Sequence, residues 1–125
     1  MYDQQYEETG GPTMELTELR IDSVTSVAVK GRIDSVSAPS LTQRLSVLLA
    51  AGNTRLVVDM REVVYISSAG FRTLLIASKL SSEIGGKLAL CHLGAEVRRL
   101  FEIAALTDFF QIYPNREKAV SALKP

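Results

Sequence analysis

Residues 56–60 read LVVDM and residues 63–72 read VVYISSAGFR, so an apolar run gives way within a few residues to two serines, an alanine and a glycine. Beyond them Phe71, Leu74, Leu75, Ala77, Leu80 and Ile84 recur at helical spacing until Gly85 and Gly86 end the pattern. Leu56 to Asp59 suits a short strand buried on both faces, and KLALCHL at 87–93 suits a second. Strand, helix and strand in this order form a βαβ unit, whose two strands run parallel and whose crossover is right-handed. This stretch decides the fold class as α/β.

The flanks extend the same architecture. From 14 to 34 the chain alternates with period two, placing Val27, Val29, Gly31 and Ile33 on one face and Ala28, Lys30, Arg32 and Asp34 on the other, which predicts a hairpin turning near Asp22 and Ser23. SAPSLTQRLSVLLAAG carries a cap candidate at Ser37, an early Pro39 and leucines at 41, 45, 48 and 49, so a helix is expected that stops at Gly52. Val97, Leu100, Phe101 and Ala104 mark a third helix, FFQIY at 109–113 a short strand, and Arg116 to Leu123 a last helix. The expectation is one domain over 14–125, a mixed sheet packed with about four helices. Residues 1–13, MYDQQYEETGGPT, are polar and acidic with a Gly-Gly-Pro break and read as a disordered leader.

Composition narrows the function. A domain of 125 residues with 46% hydrophobic side chains can bury roughly two thirds of the surface its unfolded chain exposes and needs no disulfide or metal staple. Lys and Arg number 14, as do Asp and Glu, so the basic excess of a nucleic-acid binder is lacking. Cys91 is the one cysteine and His92 the one histidine, too few for a zinc site of about four ligands. No apolar run approaches the roughly 20 residues of a membrane span, and a signal peptide's basic start and apolar core are missing. A cytoplasmic location is expected.

Ser67 and Ser68 fall where the strand's carboxyl end meets the helix N-terminus, the place where open α/β sheets bind ligands and where free N–H groups favour an anion. Serine there is also a preferred N-cap, worth about 1 kcal/mol. Gly70 in the first turn costs up to about 1 kcal/mol relative to alanine, so a reason such as close approach by another backbone, or else packing, is expected there. A nucleophilic Ser68 would need His92 as its base and lacks the G-x-S-x-G frame. Neither G-x-x-x-x-G-K nor G-x-G-x-x-G occurs, so no cofactor site is expected.

The order of GRID (31–34), the helix from SAPSL, LVVDM, YISSAGFRTLL (65–75), KLALCHL and VRRLFEIAAL (97–106) resembles the STAS domain of anti-sigma-factor antagonists, over about residues 14 to 123. In that family the junction typically reads D-S-[ST]-G followed by an apolar residue, and its first serine is phosphorylated by a partner kinase. Aligned on Gly70, that acceptor is Ser68, with Ser67 as second choice. The family's G-x-[ILV]-D falls on Gly31, Arg32, Ile33 and Asp34, whose carboxylate is expected near the acceptor. Two departures stand out: Ser67 replaces the family aspartate and Ala69 the second Ser/Thr.

The resemblance implies a bacterial regulator of transcription in stress responses that is not an enzyme. Its partners would be an anti-sigma factor that is also a serine kinase of the GHKL type, and a serine phosphatase acting on phospho-Ser68. The expected docking surface comprises Asp34, Ser35, Ser67, Ser68, Ala69, Gly70 and the helix face with Arg72, Thr73 and Ile76. Ile76 reads either as the edge of the core or as an apolar anchor for a partner. Arg98 and Arg99 read as a solvated face. The alternative role is a STAS-type interaction module, for example in a transport assembly, that is never phosphorylated and whose serines only cap the helix.

Overall fold

The computed structural model of the protein describes residues 8–11 and 14–125, with side chains from Met14 onward. The elements follow in the order β1 (Glu8–Gly11), β2 (Met14–Ile21), β3 (Val24–Ile33), α1 (Ala38–Ala50), β4 (Arg55–Ile66), α2 (Ser68–Glu83), β5 (Lys87–Cys91), α3 (Ala95–Ile103), a 3₁₀ turn (Thr107–Phe109), β6 (Gln111–Tyr113) and α4 (Arg116–Leu123). The six strands form one sheet in sequence order. The first two pairings are antiparallel and the other three parallel, so the sheet is mixed.

Each parallel step is bridged by one helix. Crossovers of one hand, stepping in one direction across a sheet, leave their helices on the same face. Leucines 41, 45, 48 and 49 of α1, Phe71, Leu74 and Ala77 of α2, and Val97 and Phe101 of α3 accordingly share one core with Val27, Val29, Ile33, Leu56, Val58 and Leu90 of the sheet. Among the described helices only α4, after the last strand, covers the opposite face, where Ala119, Val120 and Leu123 pack on Val24, Val57, Ala89 and Cys91. Asn115 caps α4 by accepting the Lys118 N–H at 2.8 Å. The β2–β3 hairpin turns at Asp22, which takes a left-handed φ of 54°, and Gly52 leaves α1 at φ 92°.

The strand expected over 56–59 runs on to Ile66. Its alternation breaks because two bulges interrupt the β3–β4 pairing, between Ala28 and Lys30 and between Gly31 and Arg32, each adding one residue to β4. Core-facing positions therefore run 56, 58, 60 and then 63 and 66, a spacing that looks like neither strand nor helix. The second parallel strand stops at Cys91 rather than Leu93, since His92 takes φ 57° and turns the chain toward α3. Only 111–113 of the expected strand over 109–113 pairs with the sheet. Much of the leader expected over 1–13 lies outside the described residues. Glu8–Gly11 depart from that expectation, forming a strand antiparallel to β2.

Candidate functional site

The bulged extension of β4 carries its end level with the end of β3, where the last register pair is Ile33 with Ile66. One residue further, the Ser67 N–H donates to the Ile33 carbonyl at 2.8 Å, continuing the ladder into the helix. Gly70 follows in the first turn of α2. A Cβ at this position would lie 2.7 Å from Ile33 Cγ2, 2.7 Å from Ile66 Cγ1 and 3.1 Å from the Ile33 carbonyl oxygen. The close approach expected of this glycine is thus to the ends of both strands, and it seats the N-terminus of α2 directly on them.

The two serines divide their roles differently from the capping expectation. Ser67 is the N-cap residue, with extended φ −97° and ψ 177°, and Ser68 is the first helical residue. Neither supplies a side-chain cap: the Ser67 hydroxyl makes no cap bond. That oxygen is buried with no hydrogen-bond partner among the described residues. Ser68 is exposed to solvent. Among the described residues, then, a hydroxyl free of structural hydrogen bonds stands on the surface, beside one that is sealed from it.

Asp34 sits across the junction, one residue beyond Ile33. Its Oδ1 accepts the Val36 N–H at 3.0 Å and the Ser37 N–H at 3.1 Å, and the Ser37 hydroxyl lies 3.2 Å away. The Ser37 N–H, with Val36, the Ser37 hydroxyl and Arg32 in support, holds the Asp34 carboxyl below its ordinary value of 3.8 despite a counteracting desolvation. Arg32 Nε is 3.7 Å from Asp34 Oδ2, and its guanidinium stacks 4.3 Å from the centre of the Tyr65 ring. Ser37, the cap candidate of α1, makes no cap bond with its hydroxyl. It donates that hydroxyl to the Arg32 carbonyl at 2.6 Å, tightening the same turn.

Of the other expected surface residues, Ser35 and Arg72 are exposed, Ala69 is half-buried and Gly70 buried. Ile76 is 44% exposed and so lies outside the core. Thr73 departs from its expected place on the open helix face, being only 5% exposed. It faces α1, where its hydroxyl meets that of Thr42 at 2.7 Å, so the buried stripe of α2 is wider than its apolar residues alone indicate. Between the two helices runs an open groove of about 450 Å³, lined by Ser35, Pro39, Thr42, Ala69 and Thr73 among others. Val36, which sequence reasoning passed over, is 74% exposed beside Ser35. Its one signal is an apolar residue inside the polar turn DSVS.

His92 is removed from Ser68. It follows Cys91, whose register partner is Asp59, and β4 continues for seven residues past Asp59 before reaching Ser67. At about 3.3 Å per residue this places Ser68 on the order of 15 Å or more away, beyond reach of an imidazole acting as base. Among the described residues no three His, Cys, Asp or Glu side chains gather in a way that would hold a metal. Among the same residues no helix is long and apolar enough to cross a membrane.

A profile of the STAS domain matches residues 17–119. The chain belongs to the STAS domain family. Within that family its similarity is to anti-sigma factor antagonists. BtrV of Bordetella bronchiseptica, a protein named as one, is 35% identical over 111 residues, covering 89% of this chain and 96% of BtrV. The anti-sigma-B factor antagonist of Bacillus subtilis is 34% identical, covering 75% of this STAS chain and 85% of its own. The crystal structure of an anti-sigma factor antagonist from Mycobacterium paratuberculosis superposes with TM-score 0.78 at 26% identity, over 94% of this chain and 100% of that one. The Bacillus cell fate determinant SpoIIAA, in its phosphorylated form, shares the STAS fold with TM-score 0.66 at 12% identity, over 96% of this chain and 100% of that one.

Proposed function

We propose that this protein is a partner-switching antagonist. Unphosphorylated, it binds an anti-sigma factor that is also a serine kinase of the GHKL type, and phosphorylation of Ser68 ends the complex. The observation that carries the reading is the contrast at the junction: Ser68 offers an exposed hydroxyl, whereas the Ser67 oxygen is buried. In the transfer the Ser68 oxygen attacks the γ-phosphorus of ATP, the bond to the bridging oxygen breaks, ADP leaves and the hydroxyl proton is released. A serine phosphatase returns the hydroxyl by hydrolysis.

The docking surface is the ground around Ser68. Val36, Ile76 and Leu80 are exposed apolar side chains near or along it, and the α1–α2 groove opens beside Ala69. Apolar anchors of this kind supply contact area, while a neutral serine hydroxyl among them costs little to desolvate. A phosphate brings a charge of about −1.5 to −2 into the same contact, and an unpaired charge is expelled from a drying interface. Ser68 stands at the N-terminus of α2, whose free N–H groups and dipole favour an anion within the free protein. The modified form therefore stays folded and simply ceases to bind.

The test is incubation with the cognate kinase and ATP, with the site located by peptide mass spectrometry and binding followed by calorimetry. One phosphate is expected, on Ser68. Ser68→Ala is expected to bind the kinase and resist release. Ser68→Asp should bind weaker by an order of magnitude or more while melting like the wild type. Phosphate found chiefly on Ser67, Thr73 or Ser78, or equal affinities for the Ala and Asp forms, overturns the reading. Such equality would favour an interaction module that is never switched by phosphate.

A further inference from the structure

We propose that Arg72 is the internal counter-ion of phospho-Ser68, so that phosphorylation removes a cation from the docking surface as well as adding an anion to it. This rests on Ser68 being the acceptor. Ser68 and Arg72 are four residues apart in one helix, and side chains at that spacing are neighbours on the helix surface. Both are exposed. The order is the favourable one, acid toward the N-terminus and base one turn on.

Arg72 is available for this role. Among the described residues it makes no hydrogen bond, ion pair or ring contact, unlike Arg32, which is engaged with Asp34 and Tyr65, and Arg55, which donates to the Leu123 carbonyl. The next positions in the same row, Ile76 and Leu80, carry no charge to compete for it. The Asp34 carboxylate, just beyond the end of β3, is already held by its own turn and by Arg32. A planar guanidinium presents paired donors that match phosphate oxygens, and a phosphate dianion attracts it more strongly than a carboxylate does.

The consequence is a larger change in the partner's view of the surface. Before modification the row reads hydroxyl, free cation, isoleucine. Afterwards the cation is turned back onto the phosphate, so any partner carboxylate that had met Arg72 loses its contact. Release then has two contributions of the same sign, repulsion by the new anion and withdrawal of the old cation.

The experiment installs phosphoserine at position 68 by genetic encoding, which bypasses the kinase, and follows the phosphorus resonance by NMR against pH. A neighbouring cation stabilises the dianion and lowers its second pKa from the ordinary value near 6. With phosphoserine at 68, Arg72→Gln should raise that pKa by on the order of 0.3 unit relative to the protein that keeps Arg72, and Arg72→Lys should restore most of the difference. Asp34, Arg32 and the α3 charges Arg98, Arg99 and Glu102 are unchanged in all three proteins, so the comparison isolates position 72. Identical pKa values with Arg72 in place and in the Arg72→Gln protein overturn the proposal, as does an Arg72→Lys protein that titrates like Arg72→Gln. Neither result touches the assignment of Ser68, which stands or falls on the kinase and binding assays. Melting of the unphosphorylated variants confirms that they are folded.

Discussion

Replacing Gly70 with alanine tests how α2 is seated. The added methyl would stand 2.7 Å from Ile33 Cγ2 and from Ile66 Cγ1, and 3.1 Å from the Ile33 carbonyl oxygen. Both isoleucines are buried, and the atoms met are next to their β-carbons, so neither moves without a change of χ1 that a β-branched side chain resists. The carbonyl also holds the Ser67 N–H. Overpacking of this kind costs about 1–3 kcal/mol, and alanine's better helix propensity returns up to about 1 kcal/mol. The expected net loss is about 1–2 kcal/mol, a Tm lower by roughly 3–8 °C, with the urea midpoint falling at constant slope. In an Ile33→Ala background one of the two shortest contacts is gone, so the added loss from Gly70→Ala should shrink by about 0.5 kcal/mol or more. A Gly70→Ala protein that is more stable than the wild type, or an equal loss in both backgrounds, would refute the close seating of the helix on the strand ends.

Three further outcomes are accessible in the isolated protein. Ser67→Ala should change stability by less than about 0.5 kcal/mol in a urea titration, since the hydroxyl makes no cap bond, whereas losing a working serine cap costs about 0.5–2 kcal/mol. Asp34 stabilises the fold while ionised. Because its folded pKa lies below the ordinary 3.8, that contribution is complete above this value and fades as pH falls through the lowered one, so the stability gap between wild type and Asp34→Asn should narrow on acidification in thermal melts. Cys91 is buried, and burial first, with the Asp59 carboxylate adding to it, pushes its thiol up to about 12. It should stay unlabelled by a disulfide reagent at pH 8 until denaturant opens the sheet. Rapid native labelling would contradict its place beneath α4.

Where a segment's fate depends on local periodicity, the sequence was sufficient. The leucines of α1 and Phe71, Leu74 and Ala77 of α2 face the sheet as their spacing requires, whereas Leu80 and Ile84 of the same expected stripe are exposed, and α4 occupies 116–123 as expected. β4 was legible only to its first bulge, because each inserted residue shifts which positions face the core, and the charged Arg61 and Glu62 interrupt the apolar run. Thr73 was misplaced for a related reason. A hydroxyl on a helix reads as solvent-facing unless its partner is known, and that partner, Thr42, lies 31 residues earlier on α1. At the junction, the position of Ser68 was legible and the division of labour between the serines was not. Whether an N-cap serine uses its hydroxyl depends on its rotamer and on which strand atoms crowd it, neither of which composition or spacing encodes.

That division bears on whether a serine at 67 suits the switch proposed at 68. An aspartate at an N-cap accepts first-turn N–H groups and places a full negative charge there. A phosphate on the next residue then meets both a like charge and a competitor for the same donors. Here the Ser67 oxygen takes none of those N–H groups and carries no charge, while Asp34 spends its own lone pairs on the Val36 and Ser37 amides. The Ser67 side chain thus neither competes for first-turn donors nor adds a charge, and the electrostatic work of adding a phosphate at 68 would be smaller than in a protein with the acid at 67. The start of α2 is held by packing, with Gly70 seated against Ile33 and Ile66 and Phe71 against Phe101 with ring centres 4.8 Å apart. On the proposed switch, stability of the junction and its capacity to accept charge would rest on different atoms, and modification would alter the surface without loosening the helix beneath it.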